Sequence, residues 1–206
     1  IARALDPASE QAHVFPYRPK AEATFGDIER SLDQQEKSIT DHRPRPPEFE
    51  LRAQGSSRTL TPREFFVTYL TTALGAGEML TEARFPALAP GSGWSFLELA
   101  RRPGDFAIVS AGAVLGVDRR GVITSARIAL GAVAERAVRC PEAEAALTGE
   151  PGGPEAFKSA AALAAAPLDP PSDVHGSAAY RKHIARVLVG RALTQAWQRI
   201  GATPGH

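Results

Sequence analysis

The sequence predicts an α+β fold, a small antiparallel sheet packed on a three-helix segment. Three observations carry that expectation. Between Met79 and Leu130, short apolar runs are separated by Pro, Gly and Asp, the pattern of hairpin-linked strands. After Pro141 the chain turns alanine-rich and takes helical periodicity. With 206 residues, 43% of them hydrophobic and no internal repeat, the chain can bury one real core or two small ones.

The elements follow in chain order. Residues 1–20 are mixed in character and contain Pro7, Pro16 and Pro19. Residues 21–48 are charged, poor in large apolar groups, and end on Pro44, Pro46 and Pro47. Such a stretch buries too little apolar surface to offset its ordering entropy and reads as a loop or disordered insert. A short helix around Phe25–Lys37 is the alternative, because Phe25, Ile28, Leu32 and Gln35 share a face. Phe49–Leu51 and Arg58–Leu60 bracket Gly55, Ser56 and Ser57 as a hairpin. Thr61, Pro62 and Glu64 form a helix-start signal, with Pro at the first helical position and Glu able to reach back to the cap. The spacing of Phe65, Phe66, Tyr69, Leu70 and Ala73 extends that helix to Gly75 or Gly77. Strands are expected at Met79–Phe85, Trp94–Ala100, Phe106–Val117 and Val122–Leu130, the last two joined by the turn Asp118–Gly121. Met79, Thr81, Ala83 and Phe85 should share one side of the first of these. Helices are expected at Pro141–Thr148, Pro154–Ala165 and Ala178–Ile200. The last should bury Tyr180, Ile184, Val187, Leu188 and Ala192, with Lys182, Arg186 and Arg199 turned away.

Composition excludes several functions. A net charge of +1 lacks the basic footprint of a dedicated nucleic-acid binder. No apolar run approaches the roughly 20 residues of a membrane span. The single Cys140 rules out an internal disulfide framework and a four-cysteine cluster, so no metal of the chain's own is expected. The chain opens on Ile1 and its one methionine is Met79, so it reads as processed, truncated or partial. Its first residues lack the pattern of a signal peptide, and a cytoplasmic protein is expected.

No P-loop, nucleophile elbow, HExxH or GxGxxG is present, which leaves hydrolase and kinase readings without residues. Gly149–Gly153 follows a helix and reads as a plain turn. His175 and His183 lack a third ligand and read as solvated or capping. Cys140 begins a helix, where a thiolate could be stabilised, but without a base partner it reads as buried and inert. The basic side chains from Arg181 to Arg199 read as a solvated helix face or a subunit contact. Arg101-Arg102-Pro103-Gly104-Asp105-Phe106-Ala107 stands apart: two arginines end a strand, a Pro-Gly turn follows, and an acid and an aromatic open the next. This is either a site that holds a planar cofactor at a sheet edge or a simple turn with a salt bridge.

The stretch FLELARRPGDFAIV (96–109) resembles the C-terminal domain of the FAD-binding medium subunit of molybdenum hydroxylases of the aerobic carbon monoxide dehydrogenase and xanthine dehydrogenase type. Further resembling stretches follow the family's order: FFVTYLTTALGAGEMLTEARFP (65–86), DRRGVITSARIALGAVA (118–134) and AAYRKHIARVLVGRAL (178–193). IARALDPASE (1–10) resembles the segment after the family's second glycine-rich flavin loop, which places both such loops upstream. Residues 21–48 depart from the family, whose crossing there is shorter and apolar.

The resemblance implies residues 1–77 as the remnant, or end, of a PCMH-type FAD-binding domain interrupted by 21–48, and 78–200 as the sheet-and-three-helix C-terminal domain. It implies FAD contacts at Glu10 (ribityl chain), Leu80 (isoalloxazine ring), and Asp105 and Phe106 (the turn that closes over the flavin). Leu97 stands where some relatives carry a lysine near the ring, so that contact does not transfer. No catalytic residue and no metal ligand is implied. The implied function is an oxidoreductase subunit: substrate is oxidised at a molybdenum–pterin centre on a large subunit, and electrons pass through [2Fe–2S] clusters on a small subunit to FAD and an external acceptor. The rival is a degenerate, non-catalytic docking module without flavin.

Overall fold

The computed structural model describes residues 47–200. Glu10 and the readings of residues 1–46 lie outside the described residues. The chain forms two compact units that divide after Ala87.

The first unit contains β1 (Glu48–Ala53), β2 (Ser56–Leu60), α1 (Pro62–Phe65), β3 (Phe66–Thr68), β4 (Thr71–Thr72) and β5 (Met79–Arg84). The sheet runs in the order β2-β1-β5, antiparallel throughout. The β1–β2 hairpin is as expected, turning at Gly55 with φ +80°, a conformation that costs a glycine little. Strand β1 starts at Glu48, the last residue of the expected insert. Strand β5, which the expected boundary after residue 77 assigns to the later domain, is hydrogen-bonded to β1.

The core of this unit is Phe49, Leu51 and Phe65, with Leu60 and Ala83 packed against it. The Phe49 and Phe65 rings stack at 4.6 Å, and Phe66 and Phe85 meet Phe49 edge-on at 5.6 and 6.3 Å. The cap forms as expected: the Thr61 N–H and hydroxyl each donate to Glu64 Oε2 at 2.8 Å. The helix behind it does not extend. It stops after one turn, and the chain continues into the β3–β4 pair. Val67, Thr68, Thr71 and Thr72 are β-branched and favour extended backbone, and Leu70 takes a positive φ of 50°, which no helix accommodates.

The second unit contains β6 (Gly93–Leu99), β7 (Val109–Val117), β8 (Ile123–Gly131), β9 (Val138–Arg139), α2 (Pro141–Leu147), α3 (Pro154–Ala165) and α4 (Ala178–Gln198). Its antiparallel sheet has the order β6-β7-β8-β9 and carries the three helices on one face. The predicted α+β class is the observed one; β9 is too short to have been read from periodicity. Rows of opposed residues build the inner face: Ala113 faces Ile128, Ala111 faces Leu130, and Leu115 faces Ala126. Against them lie Ala185, Leu188, Val189, Ala192, Leu193 and Ala196 of α4. The helix sits so close that a Cβ on Gly93 would fall 1.9 Å from the Ala196 carbonyl oxygen. The outer face shows Trp94 and Phe96, 45% and 59% exposed.

Pro141 and Pro154 open α2 and α3 as expected, and the Ser177 hydroxyl accepts the Tyr180 N–H at 3.2 Å to cap α4. The buried face of α4 is rotated from the expected one. Tyr180 is exposed, and Arg181 and Ala185 take its place inside. Arg181 finds its partners in distant loops, which helical periodicity does not register. Gly149–Gly153 is more than a plain turn. The Gly149 N–H donates to the Ile123 carbonyl at 2.8 Å, the Ile123 N–H donates to Glu150, and Gly152 lies flat against Trp197.

Candidate functional site

The turn between β6 and β7 is built by its own sequence. Pro103 fixes one φ, Gly104 takes φ +89°, and the Asp105 N–H donates to the Arg102 carbonyl at 3.2 Å, the Pro-Gly pattern of a type II turn. The loop closes where the Ile108 N–H donates to the Leu99 carbonyl at 2.7 Å. Beyond that neck the side chains stand in solvent. Phe106 is 98% exposed, and Arg101, Arg102 and Asp105 are exposed too. None of these three charged groups forms a salt bridge among the described residues. Phe106 also does not open the strand, as the sequence suggests. Strand β7 starts at Val109, so the ring sits on the turn itself.

Leu80 lies in the first unit, on β5, and is 38% exposed. The expected alternation along this strand is broken by a bulge. Glu82 faces Glu50, then Leu80 faces Leu51, and Thr81 is the extra residue, its hydroxyl donating to the Glu50 carbonyl at 3.1 Å. A bulge of this kind re-aims the side chains beyond it, here Leu80 and Met79. The approach to Leu80 is held by Glu78. Its carboxylate accepts Arg58 Nε and Nη2 at 2.8 and 2.7 Å and the Gly75 N–H at 2.7 Å. The Arg58 hydrogen bonds, then the Gly75 amide, hold the Glu78 carboxyl below its ordinary value.

The structure thus brings Asp105 and Phe106 together on one turn and places Leu80 on the other unit's sheet. Leu97 packs on the inner core of the second unit. His175 and His183 are exposed and share no ligand group; among the described residues no three His, Cys, Asp or Glu gather as metal ligands. Cys140 is buried, and that burial, with Glu144 close by, pushes its thiol up to about 11, so it stays protonated and inert. A shallow groove between α3 and α4, lined by Phe157, Ala161, Val187 and Gly190, includes none of the expected contact residues.

Two buried charged residues of the second unit escape sequence reasoning. Arg181 donates to the Ile108 and Ala132 carbonyls and to Asp173, directly beneath the 101–107 turn. Glu144 accepts the Ile128 N–H and both ends of the Arg139 guanidinium. Arg181 read as part of a solvated helix face or a subunit contact, and Glu144 carried no sequence signal.

Residues 94–196 match the family model for the CO dehydrogenase flavoprotein C-terminal domain. The chain is 36% identical over 146 residues to 6-hydroxypseudooxynicotine dehydrogenase complex subunit alpha of Paenarthrobacter nicotinovorans, covering 71% of this chain and 49% of that one. It is 36% identical over 152 residues to the carbon monoxide dehydrogenase medium chain of Hydrogenophaga pseudoflava, covering 73% and 52%. Among solved structures it is similar to quinoline 2-oxidoreductase from Pseudomonas putida 86, with TM-score 0.70 and 35% identity over 77% of this chain and 54% of that one. The Hydrogenophaga pseudoflava carbon monoxide dehydrogenase gives TM-score 0.71 and 37% identity over 75% and 54%. The chain spans about half the length of the curated relatives it matches. Because the family model runs from β6 into the last turns of α4, across the whole sheet and the helices it carries, this chain belongs to the CO dehydrogenase flavoprotein C-terminal domain family, the C-terminal part of molybdenum hydroxylase FAD subunits.

Proposed function

We propose that this chain serves in the FAD-binding medium subunit of a molybdenum-containing hydroxylase. Electrons arrive from [2Fe–2S] clusters on a small partner subunit and leave through FAD to an external acceptor. Substrate is oxidised on a large molybdenum–pterin subunit. The observation that carries the reading is the 101–107 turn, which holds a fully solvated phenylalanine ring and a carboxylate above a closed neck. An aromatic ring of that size left in water is poised to cover an apolar, planar ligand.

The described residues fit one end of FAD. In the second unit, Phe106 offers apolar surface for the isoalloxazine ring, and Asp105 beside it offers an acceptor for its polar groups. They do not cradle a pyrophosphate. The glycines of 149–153 are not suited to it, since Gly152 is committed to the ring of Trp197 and its neighbours are bonded to β8. When bound, FAD supplies the electron-carrying chemistry; these residues cover it and set the polarity around it.

The test is a titration of the full-length protein with FAD, followed by quenching of flavin fluorescence, for the wild type and Phe106→Ala. Saturable quenching is expected, weakened roughly tenfold in Phe106→Ala, the loss of one aromatic contact. The unfolding midpoint should not move, because the ring touches no core. A folded protein that leaves flavin fluorescence unchanged would overturn the reading. It would favour instead a flavin-free docking module, for which the exposed Trp94 and Phe96 on the outer sheet face speak.

A further inference from the structure

Arg181 is a guanidinium in the first turn of α4 that is 5% exposed. A buried charge is costly, and a well-packed apolar side chain serves stability equally well at such places. What Arg181 does instead is hold backbone. Nη1 donates to the Ile108 carbonyl at 2.5 Å and to the Ala132 carbonyl at 3.2 Å, and Nη2 donates to Asp173 Oδ2 at 2.7 Å. Its Nε is buried with no partner among the described residues. The two carbonyls are those of the residue before β7 and the residue after β8, and Ala132 takes a positive φ of 60°. Asp173 is itself fixed, since its Oδ1 accepts the N–H groups of His175 and Gly176 at 2.8 and 3.1 Å.

Ile108 is therefore gripped on both sides of its backbone. Its N–H is bound to Leu99 across the neck of the turn, and its carbonyl is bound to Arg181 below. Phe106 lies two residues away and Asp105 three. We propose that Arg181 is the positioning residue of this turn: holding the Ile108 carbonyl from a buried site, it fixes where Asp105 and Phe106 stand against the flavin. The proposal rests on the flavin reading above, and its test separates the two.

The experiment uses the full-length protein carrying Arg181→Met, Arg181→Lys or Asp173→Asn. Hydrogen exchange of peptides covering 100–108 reports the turn, and the visible circular dichroism and reduction potential of bound flavin report the ligand. Arg181→Met should speed exchange over 100–108 by roughly tenfold, the loss of one charge-assisted hydrogen bond, with α2 and α3 unchanged. It should also alter the flavin's dichroism and shift its potential. Arg181→Lys should restore both in part, because an ammonium can hold one carbonyl but lacks the planar fork. Should Arg181→Met fail to fold, Asp173→Asn alters only the half-exposed partner, and a smaller change in the same direction is expected. Unchanged exchange over 100–108 in these variants overturns the proposal. So does a loosened turn with unaltered flavin dichroism and potential. A wild type that binds no flavin overturns the functional reading itself, whatever the exchange data show.

Discussion

At the scale of single residues, Glu144 and Arg181 are charges spent on backbone. Glu144 accepts the Ile128 N–H at 2.8 Å and Arg139 at 2.6 and 2.7 Å, joining α2 to the β8–β9 edge of the sheet. Glu144→Ala leaves a buried N–H without an acceptor and Arg139 without its carboxylate. A loss of about 2–3 kcal/mol is expected in urea unfolding, against about half that for Glu144→Gln, whose amide oxygen still accepts one bond. A loss below about 0.5 kcal/mol, the scatter of ordinary surface substitutions, would refute this account. Neither charge could be found by spacing. Their acceptors and donors lie 5 to 73 residues away, and helical periodicity sees only neighbours three and four positions off. The turn that carries Asp105, by contrast, was legible, because Pro103 and Gly104 dictate it locally.

At the scale of elements, α2, α3 and α4 were readable because each carries its own start signal: Pro141, Pro154 and the capping Ser177. Thr61-Pro62-Arg63-Glu64 carries an equally good one, and it yields a single turn. A cap nucleates a helix but does not lengthen it; the β-branched residues that follow decide its extent. Of the expected apolar face of that helix, Phe65 is buried as a helical residue, whereas Phe66, Tyr69 and Leu70 are exposed in the β3–β4 segment. The loop before α3 is constrained by a contact that composition does not reveal. A Cβ on Gly152 would fall 2.1 Å from the ring of Trp197, which also packs on Phe157 at 6.0 Å. Gly152→Ala should cost about 1–3 kcal/mol by overpacking, whereas Gly153→Ala meets open space and should be close to neutral. Thermal melts of the two variants, compared side by side, distinguish this packing account from a general intolerance of the loop.

At the scale of the molecule, the two units stand on different interiors. One rests on three buried side chains around a phenylalanine stack, the other on a continuous layer between sheet and helices. Both depend on carboxylates whose charged form is favoured by folding. Arg58 lowers Glu78, Arg84 lowers Glu82, the Val122 N–H lowers Asp118, and Arg181 lowers Asp173, all from ordinary values of 4.5 or 3.8. A depressed carboxylate stabilises the fold above its unfolded value, and that contribution is lost as pH falls through the lower folded one. The unfolding temperature should therefore be nearly flat from roughly pH 7 to 5 and should fall steadily below about pH 4. Melts across that range check it; a midpoint that holds or rises at acid pH contradicts it. The division of the chain was harder to read than its elements, because β5 pairs backward to β1 across the whole β3–β4 excursion.

The closed neck of the 101–107 turn has a consequence for the chain as a covalent object. Leu99 and Ile108 stay bound to each other whether or not the peptide between them is continuous. Within the turn, Pro103 shields the bond after Arg102 from trypsin, leaving the Arg101–Arg102 bond as the place to cut. A nick there would free the tip carrying Asp105 and Phe106 while β6 remains hydrogen-bonded along β7 from Gly93–Leu115 to Leu99–Val109. The same bond is where a tag, a label or a new terminus could enter the domain without disturbing its sheet.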